Sequence, residues 1–245
     1  MTGGEPLMDK NTYKVFDYVL AFPKPDLHLN VTSNFSVESK LYDKYHDYVS
    51  GLCDTNIEHF MQYVSLDTGI PEHAEYIRNG LNYHRMFENV HRFLDKIPSR
   101  NSLTFIITMN NLSILGLQAL LEWIRSLRIL YSKTYQRVWF DTPLLRSPTW
   151  QSLQILPPVY ADRLERVADW MELNRMPDDG YVGFKDYEIQ RMRRDIDWMR
   201  EGSNLDSEYV KLQRADFYRF FNEHDKRRHT NFLKTFPQMK EFWQE

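Results

Sequence analysis

Leu103-Thr104-Phe105-Ile106-Ile107-Thr108-Met109 is an unbroken run of apolar and β-branched residues, as a strand buried on both faces requires. The helical period of Ile114–Tyr131 follows it. Outward from this pair the same alternation repeats. Upstream, Leu27, Leu29 and Val31 alternate into a strand ending near Thr32, and a helix follows over Val37–Val49. Gln62–Leu66 reads as the next strand, with helices over His73–Asn79 and His84–Lys96. Downstream, Arg137–Asp141 is another strand and Leu153–Leu156 a further short one. Ahead of them all, Tyr13, Phe16, Val19 and Leu20 recur at helical spacing, with Asp9 or Asn11 as cap and Pro23 and Pro25 as the stop. This order predicts an α/β fold: a parallel sheet with helical crossovers, open or curved into a barrel.

Pro157 and Pro158 mark a change to helix only, over Tyr160–Asn174, Lys185–Arg200, Ser207–Arg227 and a short piece from Pro237. Met176–Gly183 reads as a turn or linker. The expected organisation is a sheet-bearing domain over 1–156 and a helical extension over 157–245. In the extension, Met192, Ile196 and Met199 form an apolar stripe, with Arg191, Arg193, Arg194, Asp195 and Asp197 on the exposed face. Lys226-Arg227-Arg228 suits a solvated helix end.

Of the 245 residues, 42% are hydrophobic and 27% charged, the composition of an ordinary globular protein. No apolar run approaches the roughly 20 residues that span a bilayer, and Met1–Asp9 lacks the regions of a signal peptide, so a cytoplasmic setting is the expectation. A net charge of -3 argues against general nucleic-acid binding, which needs a basic surface. The single cysteine, Cys53, excludes an internal disulfide and any Cys-rich zinc or cluster site within the chain. His84 and His91 lie seven apart, and no His-Glu-x-x-His pattern or third ligand accompanies them.

Gly3-Gly4-Glu5-Pro6 precedes the first helix. Two glycines let the backbone approach a ligand without a Cβ. Glu5 offers a carboxylate suited to an ammonium group, and Pro6 stiffens the turn. By itself the tetrapeptide is equally a turn with a capping Glu. With the strand order that follows, it resembles the radical S-adenosylmethionine superfamily. There a Gly-Gly-Glu-Pro turn follows the second strand of a partial (β/α) barrel and binds the amino group of the cofactor's methionine. Leu29-Asn30-Val31-Thr32-Ser33-Asn34 is similar to the third strand, Tyr63-Val64-Ser65-Leu66-Asp67 to the fourth, Leu103–Asn111 to the fifth and Arg137–Thr142 to the sixth. Phe221–Arg228 with Thr230-Asn231-Phe232 resembles the end of the twitch-domain subgroup.

The resemblance implies a partial (β/α) barrel lacking its first strands. It implies S-adenosylmethionine as cofactor, with Gly3, Gly4, Glu5, Pro6, Asn34, Ser65 and Asp67 as candidate binding residues. It also implies a 4Fe-4S cluster, a reductant, and a substrate that is a peptide or small molecule. The family's CxxxCxxC loop is absent here, so the cluster ligands are expected upstream of Met1 and this chain alone is not expected to start radical chemistry. The alternative is a cluster-free scaffold that binds S-adenosylmethionine or another ligand. A third reading is an unrelated α/β enzyme using Glu5, Asp67 and Asp141 as acid/base or metal groups.

Position picks some of the same residues without the family. Ligands of α/β barrels lie at the C-terminal ends of the strands, where Asn34, Ser65, Asp67, Asn110 and Asp141 fall. Each is also a common cap or loop residue. Arg78 could meet a cofactor carboxylate, though a surface ion pair explains it as well. Phe217, Tyr218, Phe220 and Phe221 suit core packing, a cover over the barrel mouth or a docking face.

Overall fold

The computed structural model describes residues 1–55, 57–178, 180–202, 204 and 206–244. They form two compact units interleaved in sequence: 1–66, 80–106 and 123–141 make the first, and 67–79, 107–122 and 142–245 the second.

The first unit is built on four strands, β1 (Lys24–Ser33), β2 (Ile57–Ser65), β3 (Ser102–Ile106) and β4 (Val138–Asp141), all parallel and adjacent in chain order. The sheet is open, with β1 and β4 as its edges. Helix α1 (Lys10–Ala21) starts where Asp9 accepts a hydrogen bond from the Asn11 amide, and it ends before Pro23. Helices α2 (Ser39–Thr55), α4 (Tyr83–Lys96) and α5 (Leu117–Tyr131) connect the strands; α3 (Pro71–Ile77) belongs to the second unit, as does α5 up to Glu122.

These crossovers pack on one face. Tyr45 of α2 and Phe93 of α4 meet Phe60 of β2, at ring separations of 6.5 and 6.3 Å. From α5, Trp123 meets Phe105 of β3, and the Arg128 guanidinium lies over Phe140 of β4. A parallel sheet wound in chain order carries its right-handed crossovers on one side, which accounts for this placement. The buried Gln62 is satisfied by Tyr45 Oη, which donates to it, and by the Val31 and Tyr63 carbonyls. Arg137, 4% exposed just before β4, donates to the carbonyls of Leu94, Ile97 and Asn101, closing the C-terminus of α4. At the β1 edge, the Met1 amine donates to the Asn30 carbonyl and the Thr32 amide donates to the Met1 carbonyl, the bonding pattern of a parallel ladder.

The second unit adds α6 (Pro158–Leu173), α7 (Asp186–Gly202), α8 (Glu208–Arg228), α9 (Phe232–Thr235) and α10 (Lys240–Gln244). Arg193 of α7 pairs with Glu165 and Asp169 of α6, while Met192, Ile196 and Met199 are buried as their spacing predicts. Asp195, expected on the exposed face, is buried instead and accepts from Thr142 Oγ1 at 3.2 Å. Asp225 near the end of α8 accepts from Tyr76 Oη, Thr230 Oγ1 and the Phe232 amide, so one carboxylate joins three segments. Gly69 and Gly116 touch through their backbones, and a Cβ on Gly69 would lie 2.3 Å from the Leu120 amide nitrogen.

Three expectations are corrected. Leu153–Leu156 is not a strand: Leu153–Ile155 is a 3-10 turn capped by Ser152 Oγ on the Gln154 amide, and its apolar residues are buried with no strand pairing among the described residues. Strand β2 begins five residues before Gln62, because half-buried His59 and Met61 alternate with buried Phe60. Strand β3 stops at Ile106, and Met109 makes only an isolated bridge with Leu144. In the Met176–Gly183 stretch, Asp179 lies outside the described residues; on either side of it the Met176 amide donates to the Phe184 carbonyl and the Phe184 amide to the Asn174 carbonyl. No helix among the described residues is long and apolar enough to cross a membrane.

Burial holds His46, His59, His73, His91 and His224 below the ordinary histidine pKa of 6.5, favouring the neutral ring in the folded chain. Unfolding therefore takes up protons once pH falls below 6.5. Stability is expected to be full above that value and to be lost progressively as pH falls towards the folded-state values. Urea midpoints at about pH 7.5 and 5.5 check this, and an unchanged midpoint would contradict it.

Candidate functional site

The glycine turn is set by backbone sign. Gly3 and Gly4 have φ of 99° and 59°, in the left-handed region that disfavours a side chain, and nothing lies within 4 Å of a Cβ at either. Glu5 caps the following 3-10 turn, Pro6–Met8, by accepting from the Leu7 amide. Tyr13 of α1 secures the turn from below, its hydroxyl donating to the Leu7 carbonyl at 2.6 Å. Burial raises the Tyr13 pKa, so the phenol keeps the proton it donates.

The Glu5 carboxylate also reaches the end of β1. Oε1 accepts from Ser33 Oγ at 2.6 Å, and Oε2 accepts from the Asn34 amide at 3.2 Å. Ser33 Oγ in turn accepts from the Phe35 amide, and Asn34 Oδ1 accepts from the Ser36 amide and hydroxyl. Phe35 sits at φ 59° with a fully buried ring, a conformation that non-glycine residues hold only where packing fixes them. Glu5, Ser33 and Asn34 thus form one network at the C-terminal end of β1. Beside it a cleft of about 250 Å³ is lined by Met1, Gly3, Pro6, Asp9, Asn11 and Val15, among others.

The sheet face opposite the crossovers holds the other strand-end residues of this unit. Register places Thr32, Tyr63, Thr104 and Trp139 in one row across all four strands. Ser65, Ile106 and Asp141 form the next row towards the C-terminal ends. Thr32, Tyr63, Ser65, Ile106, Trp139 and Asp141 are all half-buried. Sequence reasoning singled out Ser65 and Asp141 here and missed Tyr63 and Trp139. Their period-two position was the available signal, and it becomes informative once the register is known.

In the second unit, Asp67 is buried in a closed arrangement. Oδ1 accepts from Arg78 Nη2 and the Thr108 amide, both at 2.9 Å, and Oδ2 lies 2.8 Å from Arg78 Nε. Arg78 therefore meets a carboxylate of its own chain, in a partly buried pair and not on an open surface. Asn110 is a loop organiser: its Oδ1 accepts from the Leu112 and Ser113 amides, and its Nδ2 donates to the Thr108 carbonyl.

Cys53 is fully buried on α2, and burial pushes its thiol up to about 12, far from the thiolate a metal or cluster needs. His84 is exposed, while His91 shares a hydrogen bond with Tyr131 Oη. Among the described residues no three His, Cys, Asp or Glu side chains are grouped to hold a metal ion. Compared with known protein families, curated proteins and solved structures, the chain matches none.

Proposed function

We propose that these residues form the S-adenosylmethionine-binding part of a radical S-adenosylmethionine enzyme. The observation that carries the reading is Glu5: a carboxylate held at the C-terminal end of a strand by Ser33 and Asn34, next to two left-handed glycines that leave the backbone bare. The winding order of the sheet, with its crossovers on one face, fits a half-barrel and supports the same reading.

The residues present suit one end of this cofactor. Oε2 of Glu5 makes a single 3.2 Å hydrogen bond, and a carboxylate oxygen accepts about two, so an ammonium can be received without breaking the network. Gly3 and Gly4 would lie along the methionine backbone, and Ser65, at the end of the strand next to β1, would face the rest of the ligand. In this reading the bound cofactor supplies a sulfonium open to reductive cleavage, acting on a peptide or small molecule. The residues present do not suit the iron-sulfur cluster: Cys53 is one buried, protonated thiol. In this reading the cluster cysteines and the reductant would have to come from elsewhere, and no cluster-dependent step is assigned to these 245 residues.

A second reading, a cluster-free S-adenosylmethionine binder, is favoured by the same burial of Cys53. Both readings predict binding. Calorimetric titration with S-adenosylmethionine is expected to show saturable heat, and Glu5→Gln to weaken it about tenfold, the worth of one charge-assisted hydrogen bond. Absence of heat from the unaltered chain would overturn both. Anaerobic reconstitution with iron and sulfide separates them: a cluster forms only when a polypeptide bearing the missing cysteines is present, or never.

A further inference from the structure

A cleft of about 500 Å³ in the second unit lies between one face of α8 and the C-terminal helix α10. Lys211, Arg214, Ala215 and Tyr218 recur on α8 at the three- and four-residue steps that share a helix face, and Phe242 and Trp243 oppose them. Its volume is within the range of about 300–1,000 Å³ typical of small-molecule sites. The space exists because Ala215 stands in the middle of the stripe where a longer side chain would fill it.

The walls are fixed aromatic surfaces. Trp243 stacks on buried Phe232 at 4.2 Å and 17°, and Tyr218 lies 4.8 Å from it. Phe242 packs edge-on against the buried Phe217. The charges in the lining are both positive, and no acidic side chain lines the cleft among the described residues. Arg214 is held in place, its Nε donating to the Ile155 carbonyl and its guanidinium lying over the Phe242 ring. Lys211 reaches Glu208 at 2.8 Å, but the Glu208 side chain is 89% exposed, so water screens the pair and an anion in the cleft can compete for the ammonium.

We infer that this cleft binds a small planar aromatic anion, with its ring against Tyr218, Phe242 and Trp243 and its anionic group between Lys211 and Arg214. The aromatic side chains favour a flat ring. Two cations one helical turn apart select a negative group over a neutral one. Nothing in this inference depends on Glu5 or on cofactor binding.

The test is titration of the full chain, by calorimetry, with 2-naphthoate, 1-naphthyl phosphate and the neutral 2-naphthalenemethanol. At least one anion is expected to bind saturably, with the alcohol at least about tenfold weaker. A tighter phosphate assigns the natural ligand to phosphate esters, and a tighter carboxylate to aryl acids. Ala215→Phe should abolish binding by filling the cleft. Lys211→Gln, at an exposed position that cannot unfold the helix, should weaken the anions about tenfold and leave the alcohol unchanged. The inference fails if neither anion saturates, if the alcohol binds as tightly as they do, or if Lys211→Gln binds all three probes like the parent.

Discussion

Arg137→Met is expected to lower the unfolding free energy by about 3 kcal/mol, because three backbone carbonyls lose their charged donor. The guanidinium is 4% exposed and makes three hydrogen bonds, to the carbonyls of Leu94, Ile97 and Asn101. Two of these acceptors lie at the end of α4, where carbonyls have no partner within the helix. A methionine fills similar volume but satisfies none of them, and each buried carbonyl left alone costs about 1–3 kcal/mol. Burial lowers the Arg137 pKa, yet arginine keeps its proton at any working pH, so the loss is expected to be independent of pH. Against a total of about 5–15 kcal/mol for a typical protein, it would shift the urea midpoint strongly. Arg137→Lys should fall between, since one ammonium cannot span three carbonyls. A midpoint within error of the parent for Arg137→Met would mean that water or a backbone shift satisfies the α4 terminus.

That clamp was invisible in the sequence, where Arg137 reads as the first residue of a strand. Its partners are 36 to 43 residues away, and spacing carries no information about them. What the sequence does carry is local: the β-rich run at Leu103–Ile106, the alternation of Leu29 and Val31, and the helical periods of α1, α4 and α5 all stand where apolar period places them. Error enters where a period is ambiguous. Leu153 and Ile155 alternate like a strand, but among the described residues no strand pairs with them, and a hydroxyl cap turns the chain instead. The start of β2 was lost because Glu58 and His59 interrupt the apolar pattern, although both belong to the strand.

The candidate site divides the same way. Glu5 stands out as an acid in a glycine turn. Its shortest partner, Ser33, lies 28 residues on and was only one residue in a strand end. Asp67 stands out as a strand-end acid, yet the sequence cannot tell a ligand carboxylate from one whose oxygens are engaged within the protein. Arg78 and the Thr108 amide engage both of its oxygens, and both are brought to Asp67 by the fold.

Asp67 therefore supplies a test that separates architecture from ligand binding. Asp67→Ala is expected to cost about 2 kcal/mol, because it leaves the partly buried Arg78 guanidinium and the Thr108 amide without their acceptor. Arg78→Ala should cost at least as much, since it leaves the Asp67 carboxylate, 5% exposed, without its counter-ion, whereas the guanidinium left by Asp67→Ala is 27% exposed and can reach water. The double variant should cost clearly less than the sum of the two, with a coupling of about 1–3 kcal/mol between residues in direct contact. Asp67→Asn isolates the charge: its amide oxygen can still accept from Thr108, so its loss should fall below that of alanine. If Asp67 instead served a ligand in preference to the fold, Asp67→Asn would leave the urea midpoint near that of the parent and would weaken S-adenosylmethionine binding. Additive single losses in the cycle would likewise show that the Arg78 pair contributes little, and that the carboxylate is held for something other than Arg78.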